Sequence, residues 1–65
     1  MKINQYDRVL LKDGNEAIIV EVFVQGSDFL ADIDKNGDTY TEDVSIEEID
    51  RVIRTNLTPI EFIRK

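Results

Sequence analysis

The sequence contains no cysteine, no histidine and no tryptophan, and the first two absences exclude several kinds of chemistry. Without cysteine the chain has no disulfide and no thiolate metal ligand. Without histidine it lacks the usual general base at neutral pH and the usual zinc ligand. No glycine-rich phosphate loop is present either. We therefore expect a protein that is not an enzyme and that needs no cofactor.

Long hydrophobic runs are also missing. A membrane-spanning helix needs roughly 18 apolar residues, and no run in this sequence approaches that length. Residues 1–5 have neither the apolar segment nor the cleavage site of a signal peptide. We therefore expect a cytoplasmic protein without a membrane partner.

At 65 residues the chain is predicted to form one domain.

The net charge is negative, and the charged residues are unevenly distributed. The formal net charge is −6, with nine acidic residues and one lysine between residues 28 and 50. Residues 51–65 carry four basic residues and one glutamate. The acidic middle segment repels phosphate backbones, so nucleic-acid binding is unfavourable and a basic protein is the more natural partner. A solvated acidic surface that maintains solubility is the alternative explanation.

Short segments rich in β-branched residues alternate with turn sequences, which is typical of an all-β protein. The predicted strands are residues 6–12, 17–24, 29–34, 39–44 and 49–53. Asn36-Gly37 is a strong hairpin signal, and Ser45 and Glu48 have the spacing of a capping box. These features predict a mainly β fold, a small SH3-like barrel of four to five antiparallel strands with one helical turn before the last strand.

The alternation within the strands predicts which side chains are buried. In the central strand, even-numbered residues from Ile18 to Val24 are expected to share one face, and the odd-numbered residues the other. The core is expected to include Phe23, Phe29 and Tyr40.

The barrel is assigned to residues 5–53 and a C-terminal extension to residues 54–65. Thr58-Pro59-Ile60-Glu61 combines an N-cap, a proline at the first helical position and a capping glutamate, so a short C-terminal helix is predicted. The apolar side chains of the extension either close an open end of the barrel or form a surface for self-association or for a partner; they are Leu57, Ile60, Phe62 and Ile63. Leu10 and Ile19 offer further apolar surface, and we expect a monomer or a weak homodimer.

The segment from Asp32 to Asp43 carries the only motif with a chemical meaning. Its oxygen-bearing side chains follow the spacing of an EF-hand calcium loop, at Asp32, Asp34, Asn36, Asp38 and Asp43. Its flanks are β-prone where an EF-hand has helices, and the last position is aspartate in place of a bidentate glutamate. The hairpin interpretation is therefore favoured over weak calcium binding. As a hairpin, it presents a partner-binding surface formed by Asp32, Asp34, Asp38, Glu42 and Asp43.

Four segments follow one another in a characteristic order: Tyr6-Asp7-Arg8-Val9-Leu10-Leu11, the segment from Gly14 to Val22, Asn36-Gly37-Asp38-Thr39-Tyr40 and Ile46-Glu47-Glu48-Ile49. In this order they resemble a family of small uncharacterised bacterial SH3-like barrel proteins. The resemblance covers about residues 5–53 and implies a fold but no established activity. It also implies an accessory role, since some members look as if they are encoded beside toxin-like partners.

Three functions remain open from the sequence. The leading prediction is a non-catalytic protein–protein interaction module of unidentified partner, and one form of it is an acidic accessory or neutralising protein. The alternatives are weak calcium binding through Asp32–Asp43 and nucleic-acid binding by a small barrel.

Overall fold

The computed structural model describes residues 2–55, which form five antiparallel strands in a single sheet. The strands are β1 (Arg8–Leu11), β2 (Glu16–Val24), β3 (Asp28–Lys35), β4 (Asp38–Ser45) and β5 (Ile49–Arg54), and a 3-10 turn (Ile46–Glu48) precedes β5. The predicted mainly β fold, with a single helical turn before the last strand, is thereby confirmed. The predicted C-terminal helix, with Leu57, Ile60, Phe62 and Ile63, lies outside the described residues. No helix within residues 2–55 is long and apolar enough to cross a membrane.

The strands lie in the order β4-β3-β2-β1-β5. The first four strands form a meander, and β5 returns to pair with β1 on the far side. One face of the sheet is covered by the core, which we call the core face; the opposite side is the outer face. The buried apolar side chains are Ile3, Val9, Leu11, Ala17, Ile19, Phe29, Ala31, Ile33, Val44 and Ile49.

Two turns form as the sequence predicts. Asn36 and Gly37 have φ angles of 55° and 86°, and Lys35 pairs directly with Asp38. This is the two-residue hairpin in which both turn residues adopt positive φ. At the start of the 3-10 turn, the Ser45 N–H and hydroxyl both donate to the Glu48 carboxylate, at 3.2 and 3.3 Å.

A bulge in β2 overturns the predicted assignment of its faces. Ile19 pairs with Ala31 and Glu21 pairs with Leu30, so Val20 is an extra residue in the ladder. One inserted residue reverses the alternation beyond it. Odd-numbered residues are therefore buried before the bulge, whereas Val22 packs against the core after it. The bulge is held by Gln5, whose Nε2 donates to the Val20 carbonyl at 2.8 Å.

The predicted exposure of Ile19 and the predicted burial of Phe23 and Tyr40 are wrong. Ile19 is fully buried, so it cannot contribute to a dimer surface. Phe23 is 52% exposed because the extra residue Val20 reverses the alternation, which puts Phe23 on the opposite face from the core-packed Val22. Tyr40 does lie opposite Ile33 in the ladder, but it is 46% exposed because β4 is an edge strand. Phe29 is fully buried, as expected.

The segment before β1 is folded tightly against β2. Asp7 is fully buried and accepts the Asn4 N–H at 2.8 Å, while the Asp7 N–H donates to the Asn4 carbonyl at 3.1 Å. The Ile19 N–H donates to the Asp7 carbonyl at 2.9 Å, which extends the pairing beyond the end of β1. This segment brings Ile3 into the core, which the strand pattern does not predict.

Candidate protein-interaction site

The β3–β4 hairpin carries the five acidic residues that the sequence analysis predicts to bind a partner. Directly opposed residues in an antiparallel pair share a face. Glu42 lies opposite the buried Ala31, so Glu42 and Asp38 are on the core side of the hairpin. Asp32, Asp34 and Asp43 are on the outer face, as the strand alternation requires. The five carboxylates therefore do not form one continuous surface.

Asp32 and Asp34 are already engaged by neighbouring side chains. The Thr41 hydroxyl donates to Asp32 at 2.5 Å, and the Thr39 hydroxyl donates to Asp34 at 3.3 Å. Arg8 lies 3.5 Å from Asp34 and 3.0 Å from Glu16. These cross-strand contacts give Asp32 and Asp34 a role within the sheet, and Arg8 partly offsets the negative charge of Asp34.

The extended hairpin also separates the predicted calcium ligands. An EF-hand loop wraps its alternate oxygens around one ion, whereas the register here places Asp38 on the opposite side of the hairpin from Asp32 and Asp34. Within residues 2–55, no group of three or more acidic side chains is arranged to hold a metal ion. Calcium binding stays a prediction that this geometry does not favour.

A groove of about 400 Å³ lies where the β2–β3 turn meets the end of β4. We call it the acidic groove; its lining residues are Phe23, Asp28, Asp43, Val44, Ser45 and Glu48. Two local features build it. The bulge at Val20 puts Phe23 on the outer face, where it is half-exposed, and the Ile46 N–H donates to the Ser27 carbonyl at 2.8 Å, which ties the turn to the corner after β4.

The acidic groove combines an aromatic ring with negative charge. Three of its six lining side chains are carboxylates, and none of the six is basic. Glu48 is held at one side by its two hydrogen bonds from Ser45. Carboxylates accept charge-assisted hydrogen bonds from ammonium and guanidinium groups, and an aromatic face attracts the same cations. The groove is therefore chemically suited to a lysine or arginine side chain.

Only one predicted partner-binding residue, Asp43, lines the acidic groove. The sequence does not predict Phe23, Asp28 and Glu48 as members of the site. Its patterns predict a capping role for Glu48 and a core position for Phe23. The register shift that exposes Phe23 depends on the pairing of β2 with β3, which no local pattern in β2 reveals.

No known protein family, no curated protein and no solved structure matches this chain. The resemblance to small bacterial SH3-like barrels therefore stays a prediction.

Proposed function

We propose that this chain is a non-catalytic interaction module that binds a basic segment of a partner protein through the acidic groove. The observation that carries the proposal is the half-exposed ring of Phe23 among the carboxylates of Asp28, Asp43 and Glu48. Interaction sites commonly have an aromatic residue near the centre and polar residues around it at the rim. The proposal includes no catalytic step, because the sequence has neither histidine nor cysteine.

The charge of the whole chain supports the same class of partner. A net charge of −6 attracts a basic protein over distances beyond direct contact and accelerates the encounter at low salt. The same field repels nucleic-acid backbones, so the exposed Phe23 is not suited to stacking on bases. Neither nucleic-acid binding nor calcium binding gains support from a feature of the described residues.

The proposal is tested by titrating the full chain with a tri-arginine amide peptide at low salt while recording amide NMR shifts. We expect the largest shifts at the groove residues Phe23, Asp28, Asp43, Ser45 and Glu48. Phe23→Ala and Asp43→Asn should each weaken binding several-fold. Raising the salt concentration should also weaken it, because the contact depends on charge.

Asp38→Asn is the matched control. It removes the same charge from the same strand, but Asp38 is five residues from Asp43, about 17 Å along an extended chain. We expect it to change binding little. Equal weakening by Asp38→Asn and Asp43→Asn would show diffuse attraction and would refute the acidic groove as the site. Absence of any shift at low salt would refute the proposed function itself.

A further inference from the structure

The free edge of β4 is the second feature of this region that can contact a partner. Among residues 2–55, β4 pairs with β3 only. In a two-residue hairpin the flanking pair, Lys35 and Asp38, is hydrogen-bonded, and bonded and non-bonded pairs then alternate. Thr39, Thr41 and Asp43 therefore direct their backbone N–H and C=O groups away from β3. Ser45 belongs to the same set, and its N–H does point outward, to the Glu48 carboxylate.

This edge has few of the features that usually prevent further pairing. Edge strands are commonly protected by proline, bulges, short length or charged side chains, and β4 has only the last of these. β4 is eight residues long, contains neither proline nor lysine, and pairs with β3 in eight successive pairs without a register shift. The β2–β3 and β1–β5 ladders both contain shifts. The β4 edge is therefore a regular template for one more strand.

The charges on β4 determine which strand can be added. Asp38, Glu42 and Asp43 are its only charged residues, and all three are acidic. A second copy of β4 would bring a further three carboxylates to the neighbouring strand, and like charges on adjacent strands are destabilising. A strand that carries lysine or arginine would be attracted instead. The edge therefore disfavours self-pairing and favours a basic segment.

The β4 edge continues into the acidic groove. Asp43 belongs to both, because its backbone groups lie on the edge while its side chain lines the groove. Side chains of an added strand alternate between the two faces. A basic residue paired near Asp43 is therefore placed beside Phe23 and Glu48.

We propose that an extended lysine- or arginine-bearing segment of the partner adds to β4 as a sixth strand. It exchanges backbone hydrogen bonds with Thr39, Thr41 and Asp43, and it directs one basic side chain into the acidic groove. This inference rests on the proposed function, since it assumes a basic partner, and it adds how that partner is held. Strand addition provides affinity through the backbone, while pockets for alternate side chains provide specificity.

The test compares two peptides that differ only in their backbone. The first alternates lysine and threonine over about seven residues, a typical strand length. The second has the same sequence with alternate amides N-methylated, which keeps the charge and removes the donors on one edge. Amide hydrogen exchange is measured on the full chain with each peptide. With the first peptide we expect exchange to slow at Thr39, Thr41 and Asp43 more than at Tyr40 and Glu42, whose amides already face β3.

A pair of variants supplies an independent measurement. Thr41→Pro removes one outward donor at a position where proline is tolerated, and Thr41→Val keeps that donor. Both variants lose the hydroxyl that contacts Asp32, so Thr41→Val is the matched control. We expect Thr41→Pro to weaken binding of the first peptide about tenfold relative to Thr41→Val. We expect N-methylation of the peptide to weaken its binding to the unmodified chain by a similar factor. If far-UV circular dichroism shows that Thr41→Pro does not fold, strand addition is tested by the comparison of the two peptides alone.

Three outcomes would overturn the inference. If the N-methylated peptide binds as tightly as the first and still shifts Phe23 and Glu48, strand addition is wrong and the proposed function stands. If neither peptide binds at low salt, both proposals fail. If Thr39, Thr41 and Asp43 already exchange slowly in the peptide-free chain, the edge is occupied by another part of the chain or by a second copy, which sedimentation distinguishes.

Discussion

The chain contains two phenylalanines in adjacent strands whose replacement should have very different effects. Phe29 is fully buried between Val22 and Val44 in the sheet, whereas Phe23 is 52% exposed in the acidic groove. Truncating a buried phenylalanine to alanine costs about 3–5 kcal/mol, since it removes buried surface and leaves a cavity. Fully burying a phenylalanine side chain stabilises a protein by roughly 1.5–3 kcal/mol. Because Phe23 is only about half buried, Phe23→Ala should lower the free energy of unfolding by about 1 kcal/mol.

These magnitudes have to be compared with the stability of the whole domain. At about 0.05–0.15 kcal/mol per residue, a chain of 65 residues has roughly 3–10 kcal/mol to lose. We therefore expect Phe29→Ala to unfold much of the population at 37 °C. Phe23→Ala should remain folded, with a melting temperature lower by about 4–8 °C.

Urea and thermal unfolding followed by far-UV circular dichroism measure both variants against the unmodified chain. Comparable destabilisation by Phe23→Ala and Phe29→Ala would contradict the structure. It would mean that Phe23 belongs to the core, as the strand alternation suggests, and the acidic groove would then lose its aromatic residue. A large difference between the variants would also validate Phe23→Ala as a binding variant that stays folded.

Two further substitutions test the turns that position the site. Gly37 has a φ of 86°, and a Cβ there would meet no atom within 4 Å. Gly37→Ala should therefore cause no steric clash, and backbone strain alone should lower the free energy of unfolding by about 1 kcal/mol. Gly37→Asn should lower the free energy of unfolding by less, because asparagine tolerates positive φ better than alanine. Equal melting temperatures for the unmodified chain, Gly37→Ala and Gly37→Asn would refute the positive-φ turn. Asp7→Ala removes the acceptor of the Asn4 N–H and should lower the free energy of unfolding by about 1–3 kcal/mol. An unchanged urea midpoint would show that the buried carboxylate does not hold the segment before β1.

Local sequence signals predicted the elements of the fold well. Asn36 and Gly37 both tolerate positive φ, and this predicted the β3–β4 hairpin. Ser45 and Glu48 marked the turn before β5 because the capping contacts span only three residues. In each case the interactions that determine the structure lie within a few positions of each other, so they are visible in one short segment.

The positions of side chains relative to the core were predicted less well. Strict alternation placed Val20 and Val22 on one face of β2, but Val20 is the extra residue of a bulge and only Val22 packs against the core. Alternation gave Tyr40 the correct side of the sheet but not its exposure, because burial also depends on which strands lie at the edges. Both errors arise from pairing between strands, which a single strand does not encode.

The candidate site was predicted in its charge but not in its geometry. The acidic middle segment is evident from composition, and Asp43 was among the residues expected to bind a partner. The pairing of β3 with β4 then divided the acids between two faces, and the threonines of β4 engaged Asp32 and Asp34. Phe23 joined Asp43 only through the register shift in β2.

The order of the strands also has a consequence for the folding of the chain. β2, β3 and β4 are joined by short turns and pair with their sequence neighbours, whereas β5 pairs with β1 across the whole domain, as in Leu11 with Ile49, 38 positions apart. Closing a long loop costs more entropy than closing a hairpin and contributes to slower folding. We therefore expect the meander to form before β5 docks, so that the edge of β4 is complete while the chain is still folding. A partner present during synthesis would meet the proposed binding edge before β5 has paired with β1.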